Sequence, residues 1–208
     1  MIDNYNDLML GQYLDIQAIS NDASLEDIDR QAQILSILSG IDAQEILHLP
    51  IGEYKDMVAK AAFLSAPEIP RRLVAKSYKV GAFTLYPVKD YRKLEAGQYI
   101  DFQTYAPDME HHLVEFLSVI LVPKGCRYNE GYDILEVQEA LREEMSVLDG
   151  ITIAGFFLTW CAQSILSSLN SSKQEAMRIK DKAKREKILQ EIARQERILR
   201  PNGVGLPT

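Results

Sequence analysis

The chain has 208 residues, of which 47% are apolar and 25% charged, as is ordinary for a soluble globular protein that can bury a proper core. Its formal net charge of −7 is uneven: residues 171–208 carry ten Lys or Arg and five Asp or Glu, a balance of +5, which leaves −12 on residues 1–170. An acidic body excludes a nucleic-acid surface of the usual kind, because phosphate binding needs clustered positive charge, so nucleic acid could bind only through the tail.

The N-terminus and the cysteines indicate synthesis in a reducing, cytoplasmic place. Asp3 and Asp7 lie where a secretory signal would be basic, and Cys126 and Cys161 lack a short paired spacing. Residues 151–169 are uncharged and about long enough to span a bilayer, but six of them are polar. We therefore expect a buried central helix there and no membrane partner.

A seven-residue pattern occurs twice. Residues 11–17 read Gly-Gln-Tyr-Leu-Asp-Ile-Gln and residues 97–103 read Gly-Gln-Tyr-Ile-Asp-Phe-Gln, and a second apolar pattern at residues 34–38 returns at residues 116–120. Such internal repetition predicts a duplicated helical module, in which residues 8–38 and 94–121 form equivalent helix pairs.

The first copy, residues 1–66, should be helical throughout. Helices are expected over residues 7–19, 24–40, 42–49 and 50–64. Ser24 followed by Asp27 resembles a capping box, Gly40 suits a left-handed C-terminal cap, and Asp42 repeats the capping pattern. Pro50 suits the start of the fourth helix.

Residues 67–90 change period and predict a β-hairpin inserted between the two copies. The expected strands are residues 72–78 and 81–87, which are rich in Val, Tyr, Phe, Thr and Leu. An isolated two-stranded hairpin is marginal in water, so it must pack on the body or on another chain.

The second copy, residues 91–170, should restart a helix at Pro107 that continues through Leu121, followed by an amphipathic helix over residues 133–148. Gly150 is expected to separate that helix from the uncharged one. Residues 171–208 form the fourth part, a basic helix from about Ser172 to Arg200 followed by a tail. The predicted fold class is mainly α: a duplicated helical module with a β-hairpin insertion and a long C-terminal helix.

Motifs for chemistry are missing from the sequence. It contains no phosphate-binding loop, no dinucleotide fingerprint, no nucleophile elbow and no His-Glu-x-x-His pair. Glu45 with His48, and His111 or His112 with Glu115, have the spacing of metal ligands, but neither group supplies the three or four ligands that zinc requires. We expect no enzyme, no cofactor and no metal, with these side chains on solvated helix faces. Cys126 lies in a polar loop without an identifiable catalytic partner.

The polar residues of the repeat allow two interpretations. Tyr13, Asp15, Tyr99 and Asp101 could line a recognition groove at the junction between the halves. Alternatively, Tyr and the aliphatic residues belong to the core while Asp and Gln face water, because duplicated modules pack alike. We favour the second interpretation.

Short motifs in residues 8–64 carry a resemblance to known proteins. They are Leu-x-x-Gly-Gln-Tyr-Leu-Asp-Ile-Gln at residues 8–17, Leu-Ser-Gly-Ile at 38–41, Glu-Ile-x-x-Leu at 45–49 and Glu-Tyr-x-x-Met at 53–57. This part resembles tailed-bacteriophage proteins of the tail assembly chaperone and baseplate-hub-associated type. The resemblance implies a non-enzymatic helical protein that binds other phage structural proteins at the tail, baseplate or head–tail region, in the host cytoplasm during assembly and then in the virion.

The basic helix is the predicted partner-binding element. Its apolar residues are too sparse for a continuous buried stripe, so we expect docking on a neighbouring subunit, such as another copy, whose body is acidic. The residues assigned to this contact are the apolar Ile188, Ile192 and Leu199 and the basic Lys182, Lys184, Arg185 and Lys187. The alternative is a nucleic-acid-binding module that acts through the same helix; interspersed acidic residues argue for an ordinary solvated helix instead.

Overall fold

The computed structural model describes residues 1–88, 90–179 and 181–198, without the side chains of residues 165, 166, 183, 184 and 194–198. The protein is mainly α-helical, as predicted. The α-helices of this described part are α1 (Leu10–Asn21), α2 (Asp27–Ser39), α3 (Ala43–Leu47), α4 (Ile51–Ala61), α5 (Ala96–Tyr105), α6 (Leu113–Ile120), α7 (Ile134–Glu144), α8 (Val147–Met177) and α9 (Lys182–Ile198). Three short strands, β1 (Tyr78–Val80), β2 (Phe83–Pro87) and β3 (Leu121–Pro123), form an antiparallel sheet in the order β1-β2-β3.

The chain divides into two compact units, Met1–Ala154 and Gly155–Thr208, and α8 runs across this boundary. The predicted division into residues 1–66, 67–90, 91–170 and 171–208 follows the sequence pattern and stays a prediction.

Helices α2, α3 and α4 enclose a small apolar core in the first unit. Ala32, Leu35, Ile46 and Met57 are buried together, and half-buried apolar residues of α3 and α4 pack against them. Truncating a leucine in such a core costs about 2 to 5 kcal/mol, so this cluster stabilises the packing of α2 on α3 and α4.

The predicted caps of this region are partly right. Gly40 adopts a left-handed conformation with φ 74° after α2, and Asp42 accepts the backbone N–H of Gln44 at the start of α3. The capping box at Ser24 is wrong. Both the N–H and the hydroxyl of Ser24 donate to the Asp22 carboxylate, so Ser24 is used in the preceding turn and α2 begins three residues beyond it, at Asp27.

Helix α6 lies at the centre of a second buried region, because seven of its eight residues are buried. It packs on α5 and α7. The expectation that Leu121 continues this helix is wrong: the chain becomes extended at Leu121 and pairs with β2. Pro107 lies in a short 3-10 turn rather than at a helix start.

The predicted hairpin is present, with a shorter first strand than expected. Tyr78 pairs with Leu85 and Val80 with Phe83, whereas residues 72–77 are outside the sheet. The hairpin packs on the body as required, because Leu85 also pairs with Pro123 of β3.

The boundary between α7 and α8 is set by the N-terminus. The Leu10 N–H donates to the Met145 carbonyl at 2.8 Å, and the Val147 N–H donates to the Leu8 carbonyl at 2.9 Å. These two bonds form a bridge that holds the backbone extended at Met145, so the helix breaks there. The expected break at Gly150 is wrong.

Gly150 is instead a point of close packing within α8. A Cβ at this position would lie 3.1 Å from Leu10 Cδ1 and 3.3 Å from Leu117 Cδ1. These distances are tighter than ordinary contacts, so the missing side chain lets α8 approach the buried leucines of α1 and α6.

The C-terminal helices differ from the prediction in their bounds. Helix α8 continues through the serines at 171 and 172 to Met177, and the basic helix α9 begins only at Lys182. By length and composition α8 is apolar enough to cross a membrane, which for one helix is weak evidence. Its first turns are buried. In its most apolar stretch of 18 residues, however, only 38% is buried, and Phe156 is 51% exposed. The expectation of a buried helix therefore holds for its first turns and for single later residues such as Cys161 and Leu169, and not for the whole helix.

Candidate interaction surfaces

The two copies of the seven-residue pattern are both helical and form the same capping bond. In α1 the Gln12 side-chain oxygen accepts the Met9 N–H at 3.0 Å, and in α5 the Gln98 oxygen accepts the Glu95 N–H at 3.2 Å. The repeated Gln thus satisfies an N–H group that would otherwise lack a partner at each helix start. Gln98 is also buried and donates its amide to the Val119 carbonyl at 2.6 Å.

A second side-chain hydrogen bond, between residues one helical turn apart, also occurs in both copies. The Gln17 amide donates to the Tyr13 hydroxyl at 2.9 Å, and the Gln103 amide donates to the Tyr99 hydroxyl at 2.8 Å. These polar groups are bonded within their own helices, which agrees with a structural use of the pattern.

The repeated aspartates have different partners. Asp15 forms an ion pair with Arg142 of α7, whereas Asp101 accepts the Tyr128 hydroxyl at 2.7 Å. Burial, followed by the neighbouring Asp101 carboxylate, raises the pKa of Tyr128 well above its usual range. The aspartates therefore connect each helix to its surroundings, and neither belongs to the groove described next.

An open groove of about 820 Å³ lies along α1, α2 and α4 in the first unit. We call it the α1–α4 groove. Its apolar lining comprises Ile16, Ile34, Leu35, Val58, Ala61, Ala62, Leu64, Ala66, Pro67 and Ile69. Its polar lining comprises Tyr5, Tyr13, Gln17, Ser20, Asp27, Arg30, Gln31 and Ser65. Of the four residues considered for a recognition groove, the structure places only Tyr13 here.

One end of the groove lies beside an acidic segment, of which Asp27 and Arg30 line the groove itself. Residues 21–30, which connect α1 to α2 and begin α2, contain four carboxylates and one guanidinium, a net charge of −3. The Arg30 guanidinium is occupied by its own loop, since it contacts the Asp27 carboxylate at 2.6 Å and donates to the Asp22 and Leu25 carbonyls at 2.9 Å. The Asp27 side chain remains fully exposed, so this end presents negative charge to solvent.

Residues 66–77 form an irregular segment between the first helices and β1, which we call the strap. Arg72 anchors it: its N–H donates to the Thr152 hydroxyl at 3.0 Å, and its guanidinium contacts Asn6 and, at 3.6 Å, Asp149. Three residues later the Ala75 N–H donates to the Tyr78 hydroxyl. The strap is therefore held on both sides of residues 73 and 74.

Leu73 lies between these anchors and is 95% exposed. The neighbouring basic residues Arg71 and Lys76 are exposed as well. The residue types of 72–78 predict a strand and do not reveal this surface, because they do not show which side chains the anchors leave exposed.

The histidines have local structural partners. His48 Nδ1 lies 2.6 Å from the Gln44 carbonyl, and His111 Nδ1 lies 2.6 Å from the Asp108 carboxylate. Hydrogen bonding to Asp108 and its negative charge raise the pKa of His111. Among the residues that the structure describes, no three His, Cys, Asp or Glu side chains come together as a metal site.

The two cysteines are free and occupy different environments. Cys126 is half-buried in the loop after β3. Cys161 is buried in α8, and its burial raises the pKa of the thiol to about 12.

The predicted partner-binding residues of α9 are only partly accessible. Ile192 is 5% exposed and Ile188 is half-buried within the single chain. Lys182 and Lys187 are exposed. Half-buried Arg185 donates to the Ile179 carbonyl at 3.4 Å, and the Lys184 side chain and Leu199 lie outside the described residues. The partner contact of α9 stays a prediction, and burial of Ile192 leaves the exposed lysines as the groups that a partner can reach.

No protein-family model, curated protein or solved structure matches the chain.

Proposed function

We propose that the chain is a non-enzymatic structural or assembly protein of a tailed bacteriophage, which binds other virion subunits and copies of itself at the tail, baseplate or head–tail region. The observation that carries the proposal is a separation of charge between the two compact units. Residues 155–172 contain no charged side chain, so the unit Gly155–Thr208 has the +5 of residues 171–208 and the unit Met1–Ala154 has −12.

Opposite charges on two units of one chain favour contacts between copies. The basic unit of one molecule is attracted to the acidic unit of another, and such attraction both speeds association and orients the partners. The attraction acts over about 8 Å at physiological ionic strength, so it weakens when salt is added.

The use of polar groups in the repeat supports the same proposal. Gln12 and Gln98 cap their own helices, and the tyrosines Tyr13 and Tyr99 bond their own glutamines. The repeat thus builds a scaffold, and the motifs that resemble phage assembly proteins lie in its first copy.

Purified particles of the phage that encodes the chain test the role directly. Stoichiometric copies in the virion identify a permanent component. Absence from virions, together with binding to virion subunits during assembly, identifies a transient chaperone. A chain that binds neither virion subunits nor itself refutes the proposal.

Charge reversal on α9, with a matched control on α4, tests the attraction between the two units. Lys182→Glu with Lys187→Glu reverses two exposed charges five residues apart on α9, and Lys55→Glu with Lys60→Glu does the same on α4. We expect the α9 variant to lose salt-sensitive self-association in analytical ultracentrifugation, whereas the α4 variant, with the same net charge, retains it. Equal behaviour of the two variants would show that α9 is not the connector.

Nucleic-acid binding through α9 is the competing function. The exposed Lys182 and Lys187 favour it, whereas Glu186 and Glu191, which are exposed on the same helix, oppose it. Steeply salt-dependent binding of duplex DNA by the intact chain, lost in the Lys182→Glu, Lys187→Glu variant, would support that alternative.

A further inference from the structure

We propose that Leu73 of one copy docks in the α1–α4 groove of a second copy, with basic residues of the strap facing the acidic end of that groove. This inference rests on the proposed self-association and adds to the charge attraction of α9 a second contact, between the Met1–Ala154 units of two copies. The donor is the strap, and the acceptor is the groove lined by α1, α2, α4 and the residues that follow α4.

Hydrogen bonds hold the strap backbone on both sides of Leu73. Arg72 is bonded through its N–H to Thr152 and through its guanidinium to Asn6 and Asp149, and Ala75 is bonded to Tyr78. The anchored backbone has little conformational freedom to lose when the exposed Leu73 side chain binds. A few side chains that become buried in well-packed pockets carry most of the free energy of a protein interface.

The groove has the lining and the size for such an anchor. Its walls are aliphatic along Ile34, Val58 and Leu64, and its volume of about 820 Å³ is within the range of clefts that bind drug-sized ligands. It therefore has room for Leu73 together with a neighbouring residue.

Charge complementarity selects this donor for this acceptor. Residues 21–30 at the acidic end carry a net charge of −3, with the Asp27 side chain fully exposed. The strap places Arg71 and Lys76 on either side of Leu73, both exposed, within a unit whose net charge is −12. A locally basic segment with an exposed apolar residue matches an apolar groove that lies beside the acidic residues 21–30 of another copy.

The second copy follows from the exposure of Leu73. Because 95% of this side chain is in solvent, it does not occupy the groove of its own chain. Each copy then offers one donor and one acceptor. Two copies can exchange them reciprocally in a closed dimer, or successive copies can join head to tail in a ring or filament.

The test uses two substitutions, each with a matched control, in the full chain. Leu73→Glu removes the donor, and Leu135→Glu is its control on α7, where Leu135 is 67% exposed. Ala62→Arg fills the groove with a bulky cation, and Ala59→Arg is its control at an exposed position outside the groove. Far-UV circular dichroism of each variant verifies that it is folded.

We expect Leu73→Glu and Ala62→Arg each to weaken self-association at least tenfold in analytical ultracentrifugation, while the two controls associate like the unchanged chain. An equimolar mixture of Leu73→Glu and Ala62→Arg should form a heterodimer, because the first retains an intact groove and the second an intact Leu73. A mixture that stays monomeric overturns the proposal, as does unaltered association of folded Leu73→Glu or Ala62→Arg protein, or an unchanged chain that is monomeric at every concentration.

Other results separate this contact from the proposed function. If Ala62→Arg self-associates normally but loses its binding to virion subunits, the groove takes a segment of another protein and the inference fails while the function stands. If the mixture forms heterodimers but the chain binds no virion subunit, the contact is real and the virion role fails.

Discussion

Replacing Gly by Ala at two equivalent positions of the repeat should change the free energy of unfolding in opposite directions. Gly11 and Gly97 are each the second residue of their helices, α1 and α5. A Cβ at Gly11 would lie 2.6 Å from Arg142 Cγ and 2.7 Å from the Arg142 carbonyl oxygen, whereas a Cβ at Gly97 meets nothing within 4 Å. The Arg142 side chain can move away, but its backbone carbonyl belongs to α7 and cannot move without displacing that helix.

The expected magnitudes follow from two opposing effects. Replacing Gly by Ala in a helix stabilises by about 0.5 to 1 kcal/mol, because the unfolded chain loses conformational freedom. At Gly97 this effect acts alone, so Gly97→Ala should raise the free energy of unfolding by that amount. At Gly11 overpacking costs about 1 to 3 kcal/mol and opposes this gain, so Gly11→Ala should lower the free energy of unfolding by up to about 2.5 kcal/mol.

Urea unfolding followed by far-UV circular dichroism measures both variants. Equal slopes of the free energy against urea concentration are needed before the midpoints are compared. In a thermal scan the difference should be about 2 to 4 °C per kcal/mol for a chain of this size. A midpoint for Gly11→Ala at or above that of the unchanged chain would refute the close approach of α1 to α7.

Three further outcomes are expected. Leu117→Ala should lower the free energy of unfolding by about 2 to 5 kcal/mol in urea unfolding, because this side chain is fully buried; a change below 1 kcal/mol would contradict its place in the core. At about pH 8, Ellman's reagent should modify Cys126 but not Cys161 in the folded protein, since burial raises the pKa of the Cys161 thiol to about 12; rapid modification of Cys126→Ser protein would contradict this. The NMR titration midpoint of His111 should lie above about 6.5 and should fall in the Asp108→Asn variant, because the hydrogen bond to Asp108 raises the pKa of His111 in the folded state. The stabilisation that this pair contributes is lost as pH rises through the raised pKa. An unchanged midpoint in Asp108→Asn would exclude the pair.

Local chemistry explains the features that the sequence could predict. The left-handed cap at Gly40 and the side-chain cap at Asp42 depend on neighbouring residues only, and both were predicted correctly. The mainly helical fold class and the hairpin followed in the same way, from hydrophobic period and residue type.

The wrong predictions involve residues whose structure depends on distant partners. Gly150 continues its helix because it packs against Leu10 and Leu117, and Leu121 leaves its helix because β2 offers a strand to pair with. No local pattern contains this information.

Sequence patterns could not predict the exposed Leu73 of the strap either. Leu73 belongs to a run of β-forming residues, and its exposure depends on Arg72 being bonded to Asn6, Thr152 and Asp149, which are far away along the chain. The basic C-terminal helix could be found from charge alone, but the burial of its apolar residues could not.

The bridge between the N-terminal segment and the start of α8 has a consequence for synthesis on the ribosome. Leu10 bonds to Met145, 135 residues later in the chain, and Leu8 bonds to Val147. At about 5 to 20 residues per second, Met145 is made roughly 7 to 27 s after Leu10. During this interval Gln12 can cap the start of α1, but the Leu8 carbonyl and the Leu10 N–H still lack their partners Val147 and Met145. The first copy of the module, although it is translated first, therefore cannot reach its final structure before the second copy has been made.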